Sequence, residues 1–182
     1  MIEILLGSLI GVWGFTEAVD TKPPAPGTVH INQQSLPNGP LRETVTLEPM
    51  SQLQFRNVIR QAYDYSCGSA ALTSVLDYFL GRNLQERQVM EGLLQFGEAD
   101  KIVERRGFSL LDMKRFVTAL GYKSGGFRAA FADLDALEHP AIVPIEYAGF
   151  KHFVVVRDVY NDHVFVADPA LGNISFTRTR FE

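Results

Sequence analysis

Hydrophobic and polar positions divide this chain into three regimes. From Ile2 to Phe15 nearly every residue is apolar, interrupted by Glu3, Gly7, Ser8 and Gly11. From Val19 to about Pro49 the chain is rich in Pro, Thr, Asn and Gly, with short alternating pieces, Thr28-Val29-His30-Ile31-Asn32 and Glu43-Thr44-Val45-Thr46-Leu47. Those pieces suit a linker (19–50) able to pair as a hairpin on the edge of a domain. From Ser51 onward the pattern is that of a packed domain, 51–182. Cys67 to Leu80 places Ala70, Ala71, Leu72, Val75, Leu76, Phe79 and Leu80 on a wide apolar helical face, and Gly81 stops it. This predicts a central buried helix. Leu84 to Phe96 reads as a second helix, and Ser109-Leu110-Leu111-Asp112 as a cap leading into a third over Met113 to Leu120, ended by Gly121. After it, Ala141 to Glu146, His152 to Val159, Val164 to Ala167 and Ile174 to Thr177 read as strands joined by short turns such as Tyr160-Asn161-Asp162. Helices first and antiparallel strands afterwards predict an α+β fold with the helices packed on the sheet.

Composition narrows the function. At 182 residues the chain can bury one substantial core. A net charge of -4 without a lysine or arginine cluster leaves no electrostatic footprint for nucleic acid. The single cysteine, Cys67, excludes an internal disulfide, and the four histidines, His30, His139, His152 and His163, follow no metal-binding spacing. No metal or organic cofactor is expected. The apolar N-terminus followed by Thr16-Glu17-Ala18 has the size of a signal-peptide core (1–18) and is short for a membrane span. It lacks the usual positive start, and Glu3 has the wrong sign, so an uncleaved anchor and a buried helix stay open beside export. In an oxidising compartment an unpaired Cys67 would need a reason to persist.

Candidate chemistry supplies that reason. Cys67 stands at the start of the central helix, where unsatisfied N–H groups favour a thiolate. His152 opens the strand His152-Phe153-Val154-Val155-Val156, and Asp168 closes His163-Val164-Phe165-Val166-Ala167-Asp168 just before Pro169. A histidine at one strand end would hold the proton of the thiol, and a carboxylate at the neighbouring strand end would orient it. Gln61, six residues before Cys67, has a side-chain amide that with the Cys67 N–H would form an oxyanion hole. Gly68 is expected to leave room for substrate. Each residue has a plainer use: a core thiol, a strand histidine, a turn cap before Pro169 and a surface glutamine. Tyr63 and Tyr65 suit either a cleft or the core. Asp64 suits either a substrate contact or the surface, and His139 and His163 read as loop or solvated residues.

Taken together, Gln61, Asp64-Tyr65-Ser66-Cys67-Gly68-Ser69-Ala70-Ala71-Leu72, Lys151-His152-Phe153-Val154-Val155 and Asp168-Pro169-Ala170-Leu171-Gly172 resemble the motifs of the C39 family of peptidases, over roughly Phe55 to Phe176. The resemblance implies a papain-like fold and cleavage of leader peptides after a Gly-Gly pair during export. It would make Gln61 the oxyanion donor, Cys67 the nucleophile, His152 the base and Asp168 its orienting partner. Many C39 domains are fused to ABC transporters, but this sequence has no Walker A motif, so no ATP chemistry is expected of it. It is similar to stand-alone members, among them the peptidases encoded with bacterial functional-amyloid export systems. The expected partner is an exported polypeptide, with secretion-system components beside it. The expected location is the periplasm, or the inner membrane facing it. Rival readings are a peptidase-like module that binds secretion substrates without cutting them, and an amidase or acyltransferase using the same thioester.

Overall fold

A computed structural model describes residues 27–33, 41–147 and 149–182. The expected signal or anchor over 1–18 lies outside them. Among the described residues no helix is long and apolar enough to cross a membrane. The chain divides into two units, residues 1–53 and 54–182. In the first, β1 (Gly27–Gln33) and β2 (Leu41–Leu47) pair antiparallel with Val29 opposite Val45. The short helix α1 (Met50–Gln54) starts at Pro49, whose carbonyl accepts the N–H groups of Gln52 and Leu53.

The second unit is built on α2 (Cys67–Ser74). Its first turn carries only small side chains, Gly68, Ser69, Ala70 and Ala71, all buried, so the helix can lie close to its neighbours. Polar members of that turn are satisfied locally: Ser69 Oγ donates to the Ser66 carbonyl at 2.8 Å, and Thr73 Oγ1 donates to that of Ser69 at 2.6 Å. Leu72 and Leu76 meet Val89 and Leu93 of α3 (Glu86–Phe96) and Met113, Phe116 and Val117 of α5 (Leu110–Ala119). Between them runs α4 (Ala99–Arg105), a short helix the sequence pattern did not predict. The predicted cap holds: Ser109 Oγ accepts the Asp112 N–H at 3.2 Å, and Asp112 accepts the Ser109 N–H at 2.9 Å.

The central helix departs from its expected course at Val75. Over Val75–Phe79 it widens into a π turn, in which the Leu80 N–H reaches back five residues to the Val75 carbonyl. The extra residue per turn rotates the end of the helix off the buried face, so Phe79 and Leu80 are exposed although the period placed them in the core.

Four strands, β3 (Ala141–Tyr147), β4 (Phe150–Tyr160), β5 (His163–Asp168) and β6 (Gly172–Thr177), form an antiparallel sheet in sequence order. One face, with Val155 and Ala167, packs on Ala71 of α2 and on Val58. The other, with Val154, Val156, Val164 and Val166, is covered by Phe131 of α6 (Phe131–Asp135) and Phe181 of α7 (Arg178–Phe181). The sheet is thus buried on both sides, which explains why β4 reads as a continuous run of valines.

The β4–β5 register decides what the sheet carries. Asn161 and Asp162, both at positive φ, make the tight turn. Pairing begins with Tyr160 opposite His163 and reaches Asp158 opposite Phe165, then slips so that Val156 faces Val166 and Val155 faces Ala167. Continued by one residue, the shifted register sets Asp168 opposite Val154, on the face that also carries His152. Without the bulge Asp168 would lie on the face of Val155, because a one-residue slip exchanges the two faces. The bulged residue, Arg157, is anchored by donating to Asn173 Oδ1 at 2.8 Å.

Candidate active site

The end of β5 delivers Asp168 into a turn that satisfies it. Asp168 is buried, and its Oδ1 accepts the backbone N–H groups of Ala170 at 2.7 Å and Leu171 at 3.1 Å. Gly172 closes the turn at φ +81. The same carboxylate oxygen accepts His152 Nε2–H at 2.7 Å. That bond leaves Nδ1 as the ring nitrogen available to the hydrogen bond between His152 and Cys67. Cys67, half-buried at the first position of α2, is further approached by the backbone N–H groups of Phe153 and Gly68. Helix start, strand start and strand end therefore put a thiol, an imidazole and a carboxylate in a row.

Electrostatics follow from that row. Burial alone would push the His152 imidazole toward its neutral form. The hydrogen bonds to Asp168 and Cys67 and the charges behind them outweigh burial and raise its pKa from 6.5 to about 9. For Cys67 burial works against ionisation, yet the bond to His152 and the Phe153 N–H hold its pKa below the ordinary thiol value. For Asp168 burial also opposes the charge. His152 and the Ala170 N–H win, and the carboxyl stays below its usual range. Each shift leans toward the charged form: thiolate, imidazolium and carboxylate.

Gln61 lies in the loop before α2. Its backbone N–H donates to the Pro169 carbonyl at 2.9 Å, which ties this loop to the corner carrying Asp168. The side-chain Nε2 donates one hydrogen to the Tyr63 carbonyl at 3.2 Å, leaving its second hydrogen uncommitted among the described residues. Tyr63 and Tyr65 are 56% and 60% exposed, which settles their reading against core packing. Together with Met90, Leu94, Ile102 and Phe108 they line a groove of about 540 Å³ that runs to Ser66, the residue before Cys67 in the chain. Asp64 is exposed within the same loop, and His139 and His163 are exposed.

Gly68 differs from its expected role. A Cβ there would come within 2.8 Å of Met113 Cε and 3.3 Å of Phe153 Cδ2, so the missing side chain makes room for the core under the nucleophile and not for substrate. Sequence reading passed over Glu86, whose buried carboxylate accepts the Ala62 N–H at 3.0 Å and faces Ser69 Oγ at 3.4 Å. Its signal was present: Glu86 is an acid on the helix face that carries Val89 and Leu93.

A family model for the peptidase C39 family matches residues 56–182, the span that holds all four candidate residues. The chain belongs to the peptidase C39 family. Among its relatives, a protein of Pseudomonas aeruginosa described as a probable functional amyloid protease, FapD, is 39% identical over 135 residues, covering 74% of this chain and 59% of the relative. The protein of the same description from Pseudomonas fluorescens is 35% identical over the same shares. The chain thus spans about three fifths of the length of these two relatives. Solved C39 structures share the fold. The peptidase domain of Streptococcus ComA, a bifunctional ABC transporter, superposes with a TM-score of 0.56 at 22% identity, covering 68% of this chain and 88% of that domain. A double glycine motif protease from an AMS/PCAT transporter, solved in complex with the leader peptide, gives 0.56 at 27% identity over 68% and 81%. The expected α+β, papain-like architecture is therefore that of these C39 domains.

Proposed function

We propose that this C39 chain is a cysteine peptidase that hydrolyses a peptide bond of an exported polypeptide, at a leader or double-glycine type of site, in a bacterial secretion pathway. The observation that carries the reading is the His152 Nε2–H bond to buried Asp168 at 2.7 Å, with the remaining ring nitrogen left for Cys67. In this mechanism the Cys67 thiolate attacks the scissile carbonyl. The oxyanion is held by the Cys67 N–H and the free hydrogen of Gln61 Nε2. His152 gives its proton to the leaving amine as the tetrahedral adduct collapses to a thioester, then takes one from water as water attacks that thioester. Asp168 keeps the imidazole oriented and its cation stabilised throughout.

The substrate class draws support from two sides. The Pseudomonas relatives are named for functional amyloid, and the AMS/PCAT neighbour was solved with a leader peptide. The exposed tyrosines of the groove that reaches Ser66 offer a peptide an aromatic surface on the loop leading to Cys67. The reading places the chain in the periplasm, or on the inner membrane facing it, where it would meet an exported substrate.

The test compares exported proteins from cells carrying the wild-type chain, Cys67→Ala or Cys67→Ser by intact mass spectrometry. The reading expects a precursor retained in both mutants, and a wild-type product whose two fragments together exceed the precursor by one water. A product carrying an added acceptor would make the chain a transferase. Identical products in all three strains would leave a binding module.

A further inference from the structure

Gln61 is held from both sides. On one side its own N–H meets the Pro169 carbonyl at 2.9 Å; on the other, the N–H of Ala62 meets Glu86 Oε2 at 3.0 Å. Glu86 Oε1 faces the Ser69 hydroxyl at 3.4 Å, two residues beyond Cys67 on α2. One buried carboxylate therefore links the loop that carries Gln61 to the helix that carries the nucleophile.

This carboxylate is an expensive way to hold a loop. Glu86 occupies the first position of α3, in line with Val89 and Leu93, where an apolar side chain would pack. Burying a polar side chain with few partners costs free energy that a hydrophobic residue of equal volume would not. Other bonds already pin the loop: Ser66 Oγ accepts the Tyr63 N–H at 3.2 Å and donates to the Tyr63 carbonyl at 2.9 Å. What those bonds do not fix is the backbone at residues 61 and 62, which sets where the Gln61 amide stands relative to the thiol.

We infer that Glu86 is a positioning residue for the oxyanion hole: it fixes Gln61, through the Ala62 N–H, against the nucleophile helix. The inference rests on the oxyanion role proposed for Gln61. Glu86 touches no reacting atom, so it acts on transition-state geometry and leaves the charge state of Cys67 alone.

Two probes separate these effects in the full chain. Iodoacetamide alkylates a thiolate by displacement and forms no oxyanion, whereas p-nitrophenyl acetate acylates it through a tetrahedral oxyanion. The variants are Glu86→Met, which keeps the volume, Glu86→Gln, which keeps one acceptor for Ala62, Gln61→Ala, and each Glu86 variant combined with Gln61→Ala. Glu86→Met is expected to slow acetylation about 10-fold, within what a small misplacement of a catalytic group costs. Alkylation should stay within about 2-fold of wild type, Glu86→Gln should recover most of the loss, and the Glu86→Met effect should vanish in the Gln61→Ala background. Alkylation falling in step with acetylation, or the Glu86→Met loss persisting undiminished without Gln61, would overturn the positioning role while leaving the peptidase reading intact. A Gln61→Ala chain that acetylates at the wild-type rate would remove the oxyanion role of Gln61, and that of Glu86 with it.

Discussion

Replacing Asp168 with asparagine keeps the shape of the group and removes its charge, so it isolates the electrostatic half of the His152 contact. In the wild-type chain the imidazole rises from 6.5 to about 9 against the opposing pull of burial, a net preference for the cation of about 3 kcal/mol. The Asp168 hydrogen bond is the first of the contributions that raise it, ahead of the bond to Cys67. Loss of an adjacent opposite charge moves a pKa by about one unit or more. The apparent His152 midpoint should therefore fall from about 9 to about 8 or lower in Asp168→Asn. Each unit weakens the thiolate–imidazolium pair about 10-fold, so alkylation of Cys67 by iodoacetamide at pH 6.5 should slow by about that factor. The assay is an NMR titration of the histidine ring protons, assignable because the chain has four histidines, run beside alkylation rates from pH 5 to 10. A wild-type midpoint near 6.5, or a midpoint unmoved by the substitution, would refute the ion-pair reasoning.

Stability should follow the same groups with opposite signs. His152 is raised, so its contribution is complete below 6.5 and is lost as pH rises through about 9. Asp168 is lowered, so its contribution is present above the ordinary carboxylate value of about 3.9 and is lost as pH falls through the folded value. Thermal melting should show a plateau between these limbs, and Asp168→Asn, which removes the titrating carboxyl and lowers the His152 value, should flatten both limbs. Gly172→Ala is expected to cost about 2–4 kcal/mol in urea unfolding, because φ +81 disfavours a side chain and its Cβ would lie 2.4 Å from the Gln54 carbonyl oxygen. Asp112→Asn should cost about 2 kcal/mol at neutral pH, since it weakens a buried carboxylate's bonds to Ser109, the Glu98 N–H and Arg105. Asp112 is held below its usual range, so that difference should shrink as pH falls below about 3.9, and a pH-independent gap would count against it.

Much of this could be read along the chain. Helical period and the Gly81 stop located α2, the Ser109–Asp112 cap located α5, and the Asn161 turn located the β4–β5 hairpin, because each signal is local. Cys67, His152, Asp168 and Gln61 stood out by residue type and spacing. What escaped was set by tertiary structure. No residue pattern announces that the ladder slips at Arg157, yet that slip puts Asp168 and His152 on one face. The π turn at Val75–Phe79 likewise breaks a period that favoured burying Phe79 and Leu80. The role of Gly68 depended on Met113, forty-five residues away, and that of Glu86 on a loop folded back against its own helix.

The central claim is that Cys67 carries the acyl group of a cleaved polypeptide, and it can be trapped. The purified wild-type chain would be mixed with the exported-protein fraction from Cys67→Ala cells, quenched in acid within the first turnover and digested for mass spectrometry. The account expects a peptide-sized adduct on the fragment containing Cys67, removed by neutral hydroxylamine as a thioester is, together with the matching cleaved product. Cleavage that proceeds equally well with Cys67→Ala, or an adduct on any residue other than Cys67, would contradict it.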